Sequence, residues 1–471
     1  MLMIYLGVFN SDYISILQRR TTWLILLKIF LRLAQSLRDK ICANLVDFIK
    51  EIIFSSTFIE QHRQKKTDFT RSRLLPFTSL VLYFCNFTKS LYQSELNKFF
   101  KISTGYTVAK HVVSKMALCK ARRKLKYQAF VELNDQAAEY FYQHFTPLTW
   151  HGFFLKAVDG STVKLPNYPE IVDHFGTWGV RQGDPVPMAR ISQMLDPLNR
   201  ITTHALIKPK GIGEREMAAS HFEQLSEKDL VLLDRGYPAF WLFKLIISRG
   251  AHFCSRISSK KRKIVHKFIE SGQREQIIFL TAPVTSRKAC RDYCLVLKPI
   301  CLRLLRIELD SGEVEVLITS LTNRQQYPYP LFEELYHARW PVEEDYKVMK
   351  CRIELENFSG QTKLSVYQDF HAKIFSKNIT SMIGFAAQDR VAKATESREY
   401  NYKINFTQAL STMRDTIVVL FQRAASEIQS LISVVLETFS MAIEPIRPGR
   451  KYPRNHKRAQ RKNCLNYKPT L

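Results

Sequence analysis

Two aspartates at the ends of apolar runs, and one helix that mixes a carboxylate with cations and a phenol, are the residues here best suited to chemistry. Asp159 follows Phe153–Val158 and Asp234 follows Leu230–Leu233, and each run reads as a strand. Strand ends in α/β sheets gather ligands and metals, because a rigid strand holds the side chain while the following loop opens to solvent. A single aspartate there is commonly a turn or cap residue, and two on one sheet leave both readings open. The third element is Tyr336–Lys350, YHARWPVEEDYKVMK. At about 100° per residue, Tyr336, Arg339, Glu343 and Lys350 fall within roughly a 60° sector, with Lys347 beside them. Such a face suits a metal ion next to a phosphate: the carboxylate ligates the cation, and the cationic and phenolic groups hold phosphate oxygens. The competing reading is a surface helix with i, i+4 pairs such as Arg339–Glu343, worth a few tenths of a kcal/mol. Pro341 lacks an amide donor, so the helix either kinks there or starts there.

Taken in order, VDGS at 158–161, LLDRGY at 232–237 and Y-x2-R-x3-E-x6-K at 336–350 resemble the DDE transposases of bacterial insertion sequences, in the subgroup with the YREK motif (insertion-sequence family four). GIGEREMA (211–218), VLITSL (316–321) and ELENFSG (354–360) carry the same likeness, which runs from about Ser114 to Phe375. The resemblance implies an α/β fold: a ribonuclease-H-like catalytic domain with a β-rich insertion, flanked by helical N- and C-terminal regions. It implies that Asp159, Asp234 and Glu343 are the catalytic and metal-holding residues, and that Tyr336, Arg339 and Lys350 bind DNA phosphate. Mg²⁺ is the implied cofactor, with Mn²⁺ as the alternative. The implied partners are double-stranded DNA, as terminal inverted repeats and target, and a second copy of the chain in a synaptic homodimer. The gap between Asp234 and Glu343 is far longer than a strand-to-helix loop. The β-rich stretch at 251–322 fills it, and its Arg256, Lys260, Lys261, Arg262, Lys263 and Lys267 either line the DNA end or form a solvated hairpin.

The elements that must position these groups follow from pattern. Residues 1–145 read as helical, with a basic stretch that is either DNA-binding, as the resemblance implies, or a solvated face. Leu96–Val131 holds no acid, and its second half forms a basic amphipathic segment that includes Lys115, Lys120, Arg122 and Arg123. The catalytic domain spans 146–250 and 323–400. In its first part Asp159-Gly160-Ser161 reads as a turn before Thr162–Leu165. Asp196-Pro-Leu-Asn199 reads as a hairpin turn, Glu214–Leu225 as a helix, and Ala239–Ser248 as another. Strands are expected at His252–Ile257, Gln276–Thr281, Tyr293–Leu297, Leu304–Leu309 and Val314–Thr319, with a turn at 309–313. A helical region with a basic tail closes the chain at 401–471; its apolar helices at 406–441 serve either dimerisation or the monomer core.

Composition bounds the rest. The 471 residues carry 70 Lys plus Arg against 43 Asp plus Glu, a formal charge of +27 and a pI near 9.7, which favours a polyanionic partner. An apolar fraction of 46% excludes a disordered chain. Nine scattered cysteines with no CxxC pair fit reduced thiols in a cytoplasm and do not fit zinc; the resemblance implies that this cytoplasm is bacterial and that the protein sits on the nucleoid. Asp12 interrupts the apolar N-terminus, and Thr22–Leu37 carries Lys28 and Arg32, so an amphipathic helix is expected and no membrane partner. The reading that absorbs these features is a cut-and-paste transposase. A nuclease of the same fold without strand transfer, and an inactive or domesticated DNA-binding derivative, remain as alternatives.

Overall fold

The computed structural model describes residues 20–71, 73–179, 185–258, 263–308 and 312–447, with side chains from residue 37 onward. The central sheet begins with β1 (Phe154–Lys164), β2 (Val186–Asp196), β3 (Ile201–Lys208), β4 (Asp229–Leu233) and β5 (His252–Ile257). Their order is β3-β2-β1-β4-β5, antiparallel among the first three and parallel from β1 through β4 to β5. Three strands in hairpin succession followed by two parallel crossovers are the ribonuclease-H-like arrangement. The two connections to β4 and β5 each carry a helix, as parallel pairing requires. Three further strands, β6 (Glu275–Leu280), β7 (Ile300–Glu308) and β8 (Val314–Thr319), extend the same sheet beyond β5 in the order β8-β7-β6. His252–Ile257 is therefore the fifth strand of the central sheet, and the rest of the β-rich stretch continues that sheet.

Among the helices, α1 (Arg20–Phe54) and α2 (Gln128–His144) belong to the N-terminal region. Two more, α3 (Glu214–Phe222) and α4 (Phe240–Ser248), connect β3 to β4 and β4 to β5. The motif helix comprises α5 (Leu331–His337) and α6 (Pro341–Lys347), followed by a π-helical turn at Val348–Arg352. Then come α7 (Lys363–Ala394), α8 (Phe406–Gln422) and α9 (Ala425–Met441).

Strand alternation sorts the side chains onto two faces. Leu155 and Ala157 of β1, with Leu230 and Leu232 of β4, pack beneath Leu335, Val342, Tyr346 and Met349 of the motif helices. Val158, Val231 and Leu233 point the other way, against Ala218, Phe222, Phe240 and Phe243 of α3 and α4. The third core joins α1, α2, α8 and α9 around the outer half of α7. The start of α7, through Val366, Phe370 and Ile374, instead enters the core over the sheet. This one long helix thus links the helical region to the catalytic sheet. The apolar faces of α8 and α9 are spent closing this core, so of the two uses expected for 406–441 the structure has the monomer core.

Several local expectations are overturned. Asp159-Gly160-Ser161 is not a turn: β1 runs straight through it, because β2 pairs across in register, Asp159 with Gln193 and Gly160 with Ser192. Tyr293–Leu297 is not a strand but follows a short helix, Arg287–Asp292, whose Cys290 is buried while Val296 and Leu297 are exposed. Pro341, by contrast, does one of the two things expected of it: it cannot continue the hydrogen-bond ladder and is the first residue of α6. In the basic N-terminal segment, Arg122 does not reach outward. Its guanidinium is buried and pairs with Asp369 at 2.8 Å, while also donating to Gln368 and Ser359. Lys260, Lys261, Arg262, part of the expected 309–313 turn, the first 19 residues and nearly all of the basic tail lie outside the described residues. Among the described residues no helix is long and apolar enough to cross a membrane.

Candidate active site

The register of the sheet places the two aspartates. Val158 on β1 pairs with Leu233 on β4 in parallel, and Asp159 and Asp234 are each one residue further on. Both Val158 and Leu233 face the α3–α4 side, so the next residues face the motif helices, on strands about 4.8 Å apart. Glu343 lies in the first turn of α6 on that same face, one residue after buried Val342. The three carboxylates separated so widely along the chain therefore converge.

Hydrogen bonds fix each of them. Asp159 accepts from the Gly160 amide at 2.9 Å through its side chain, while its backbone carbonyl accepts from the Tyr346 hydroxyl at 2.8 Å and the Ser192 hydroxyl at 3.2 Å. Asp234 accepts from the Tyr336 hydroxyl at 3.3 Å, and Arg339 Nη2 donates to Glu343 Oε1 at 2.8 Å. Lys350 Nζ donates to Ser161 Oγ at 2.8 Å and to the Thr162 carbonyl at 2.7 Å, which ties the end of the motif helix to β1. Lys347 is the exception on this face: it turns to solvent and pairs with Glu344 at 2.5 Å.

The electrostatics show what the cluster lacks. Burial pushes the Asp159 carboxyl up to about 6; the Gly160 amide and Arg339 oppose that shift, and the carboxylates of Glu343 and Asp234 reinforce it. Burial also raises Tyr336, so it stays a neutral donor, and lowers Lys350. Arg339 is buried, and its Nε hydrogen meets no partner among the described residues. A crowd of acids short of positive charge, beside an unmet guanidinium N–H, fits a divalent cation and a phosphate oxygen. Among the described residues no three acidic, histidine or cysteine side chains stand close enough to hold a metal together as they are. Arg339 occupies one Glu343 oxygen, and Tyr336 leans on Asp234. Beside them opens a cleft of about 860 Å³, lined among others by Asp234, Arg235, Arg256, Tyr336, Arg339 and Glu343; Asp159 is not part of its lining. Arg256 reaches this cleft but is paired with Glu315 at 2.8 Å, and Lys263 and Lys267 lie on an exposed helix edge.

Comparison with known proteins adds a likeness: residues 155–379 match the transposase DDE domain family. The chain is 24% identical over 253 residues to the transposase InsG for insertion sequence element IS4 of Escherichia coli K12, covering 53% of this chain and 56% of that protein. It is 22% identical over 205 residues to the putative transposase InsZ of the same organism, covering 43% of this chain and 59% of that protein. The matches thus span little more than half of each relative. A piggyBac transposase synaptic complex with hairpin DNA superposes over 88% of both chains at 9% identity, with a TM-score of 0.45. That value is too low to add to the fold assignment, which rests on strand order.

The site also uses residues that motif spacing alone did not single out. Tyr346, three positions after Glu343, holds the Asp159 carbonyl; its place on the buried helix face was the only signal for it. Arg215, inside GIGEREMA, grips the loop after Asp234: its Nε and Nη2 donate to the Gly236 carbonyl at 3.1 and 2.9 Å, and Nη2 to the Pro238 carbonyl at 3.4 Å. Glu214 beside it pairs with Arg190 of β2 at 2.9 Å, and Glu216 caps Gly213. The start of α3 therefore braces β2 against the loop that carries Asp234. Because Arg215 is itself exposed, Arg215→Ala is expected to leave the thermal midpoint nearly unchanged. Amide exchange at Arg235–Tyr237 should become about tenfold faster, as a loop losing one to two kcal/mol of restraint would. Hydrogen exchange read by mass spectrometry checks this, and unchanged exchange would contradict the brace.

Proposed function

We propose that this chain is a DNA transposase of the cut-and-paste kind, acting at Asp159, Asp234 and Glu343. One observation carries the reading: two aspartates on adjacent parallel strands share a sheet face with a glutamate on the helix packed over it, and a guanidinium N–H is left unmet beside them. Asp159 is central, since both of the other carboxylates and Arg339 act on it. In this reading the three carboxylates would hold a divalent pair, with Mg²⁺ as the physiological ion and Mn²⁺ as a substitute. Bound there, such ions activate an attacking water or 3′-hydroxyl and stabilise the departing oxygen of an in-line displacement at phosphorus.

The chain's own residues do the rest. Arg339 leaves one Glu343 oxygen and turns its fork to the phosphate next to the cut, which frees Glu343 for the cation. Tyr336, held neutral, donates to a phosphate oxygen when Asp234 turns to the cation. Lys350 keeps its two bonds to β1 while its third hydrogen points to the strand being processed. Because every step is the same displacement, one site serves both cleavage and joining. The net charge of +27 supplies attraction to the DNA ends and target. The reading includes a homodimer in the synaptic complex and a place on the bacterial nucleoid. The apolar faces of α8 and α9 that close the helical core are buried within the chain.

Strand transfer tests this against the two alternatives. A duplex with a pre-cut end and a free 3′-hydroxyl, derived from the sequence flanking the coding region, is expected to be joined to a plasmid target in Mg²⁺. Cleavage without joining would mark a nuclease. Binding without either would mark an inactive derivative.

A further inference from the structure

Below the catalytic face, where the motif helix ends, lies a second cavity of about 260 Å³ whose lining includes Lys89, Arg352 and Arg414 and no acidic residue. Thr407, Ser411 and the exposed thiol of Cys351 share its wall. Three separate pieces of chain build it. The π-helical turn at Val348–Arg352, closed by the Ile353 amide on the Val348 carbonyl at 3.1 Å, widens the helix just after Lys350 and presents Arg352. Lys89 arrives from the loop before Tyr92–Thr104, anchored by its Nζ to the Arg352 carbonyl at 2.7 Å and to Glu354 at 3.2 Å.

Arg414 comes from a break inside α8, where Arg414 has ψ 134° and Asp415 has φ 67°, a positive φ uncommon outside glycine. Asn86 holds that break open, donating to Asp415 Oδ1 at 2.9 Å and accepting from the Asp415 amide at 2.7 Å. The kink is thus hydrogen-bonded on both sides and sets one arginine beside two other cations. The cations are only partly neutralised. Arg414 gives Nη2 to buried Glu95 at 2.9 Å, but its Nε is buried and unmet, and the Arg352 guanidinium makes no hydrogen bond or ion pair among the described residues.

From this arrangement we infer that the Lys89–Arg352–Arg414 cavity is a phosphate-binding site that takes a backbone phosphodiester of the DNA strand running away from the catalytic cleft. An anion of that size answers the unmet Arg414 N–H, the open Arg352 fork and the hydroxyls of Thr407 and Ser411 at once. Arg352 stands nine residues beyond Glu343, roughly 13 Å along a helix axis, which a duplex strand spans in about four phosphates. The site joins the N-terminal region, the motif helix and the C-terminal helices, so a strand held there would lock all three. The inference rests on the transposase reading for its DNA, but not for its phosphate.

The test uses the full chain with two readouts. Inorganic phosphate is expected to raise the thermal midpoint of the parent chain, and Arg352→Gln or Ser411→Asp should remove that increment without lowering the midpoint in phosphate-free buffer. In fluorescence anisotropy with a duplex, Arg352→Gln should weaken binding several-fold and reduce the slope of log affinity against log salt by about one. A lost phosphate increment with an unchanged DNA slope would overturn the DNA assignment and leave a site for free anions. An unchanged increment and slope would overturn the site altogether. If the parent chain fails to bind duplex DNA while the phosphate increment persists, the transposase reading fails and the anion site stands alone.

Discussion

Asp234→Ala in the full chain is expected to lower metal-dependent cleavage of the DNA end by at least about 10²–10³-fold, the cost of removing one preorganised group that stabilises developing charge. Binding of the end should stay within twofold of the parent. The fold should survive, because Asp234 lies just past β4, and its loop is held by other means: the Tyr237 amide on the Asp234 carbonyl at 3.0 Å, Arg215 on Gly236, and the Tyr237 ring in the core. Asp234→Asn separates charge from shape and should be nearly as inactive. A gel assay of cleavage beside an anisotropy assay of binding decides the matter. Equal loss of both would assign Asp234 a folding role.

Arg122→Ala is expected to destabilise the chain by about 3–5 kcal/mol, since it strips the guanidinium from a carboxylate that stays buried. Arg122 and Asp369 are each only 6% exposed at the side chain. Asp369 would keep the Ser359 amide and hydroxyl, but its charge would lose its compensating cation. The same guanidinium also bonds Gln368, the Ser365 carbonyl and Tyr92, so it pins the ELENFSG segment to both the N-terminal region and α7. Gly360 in that segment is required for the approach: a Cβ there would fall 2.3 Å from Ser365 Cβ and 2.9 Å from Arg122 Nη1. The midpoint of urea unfolding at constant m checks the prediction. A loss below about 1 kcal/mol would show that the segment is held by its apolar contacts alone.

How much of this could be read from the sequence depends on how local each signal was. The first half of β1 and the whole of β4 were legible because buried strands there are near-continuous apolar runs, as sheets covered on both faces require. The break at Pro341 followed from proline chemistry. The turn at Asp159–Ser161 was misread because Asp-Gly-Ser favours turns locally, and only the distant pairing with β2 keeps it extended. Tyr293–Leu297 misled in the same way: an apolar run of strand-like composition lies exposed after a short helix, where no neighbouring strand claims it. Arg122 looked like one basic residue among many, and nothing nearby in sequence announces Asp369, its partner across the core. Likewise the grips of Arg215 and Tyr346 on the catalytic strands depend on tertiary placement. The three carboxylates were legible through their motifs, whereas the restraint Arg339 and Tyr336 place on them was visible only in three dimensions.

The measurement that bears most directly on these carboxylates is a Mn²⁺ titration of the full chain bound to its DNA end, followed by electron paramagnetic resonance. The parent chain should take up two ions close enough for their spins to couple. Asp159→Asn, Asp234→Asn and Glu343→Gln should each abolish the coupled signal. A coupled pair that persists unchanged in any one of these variants would contradict a metal site shared by all three.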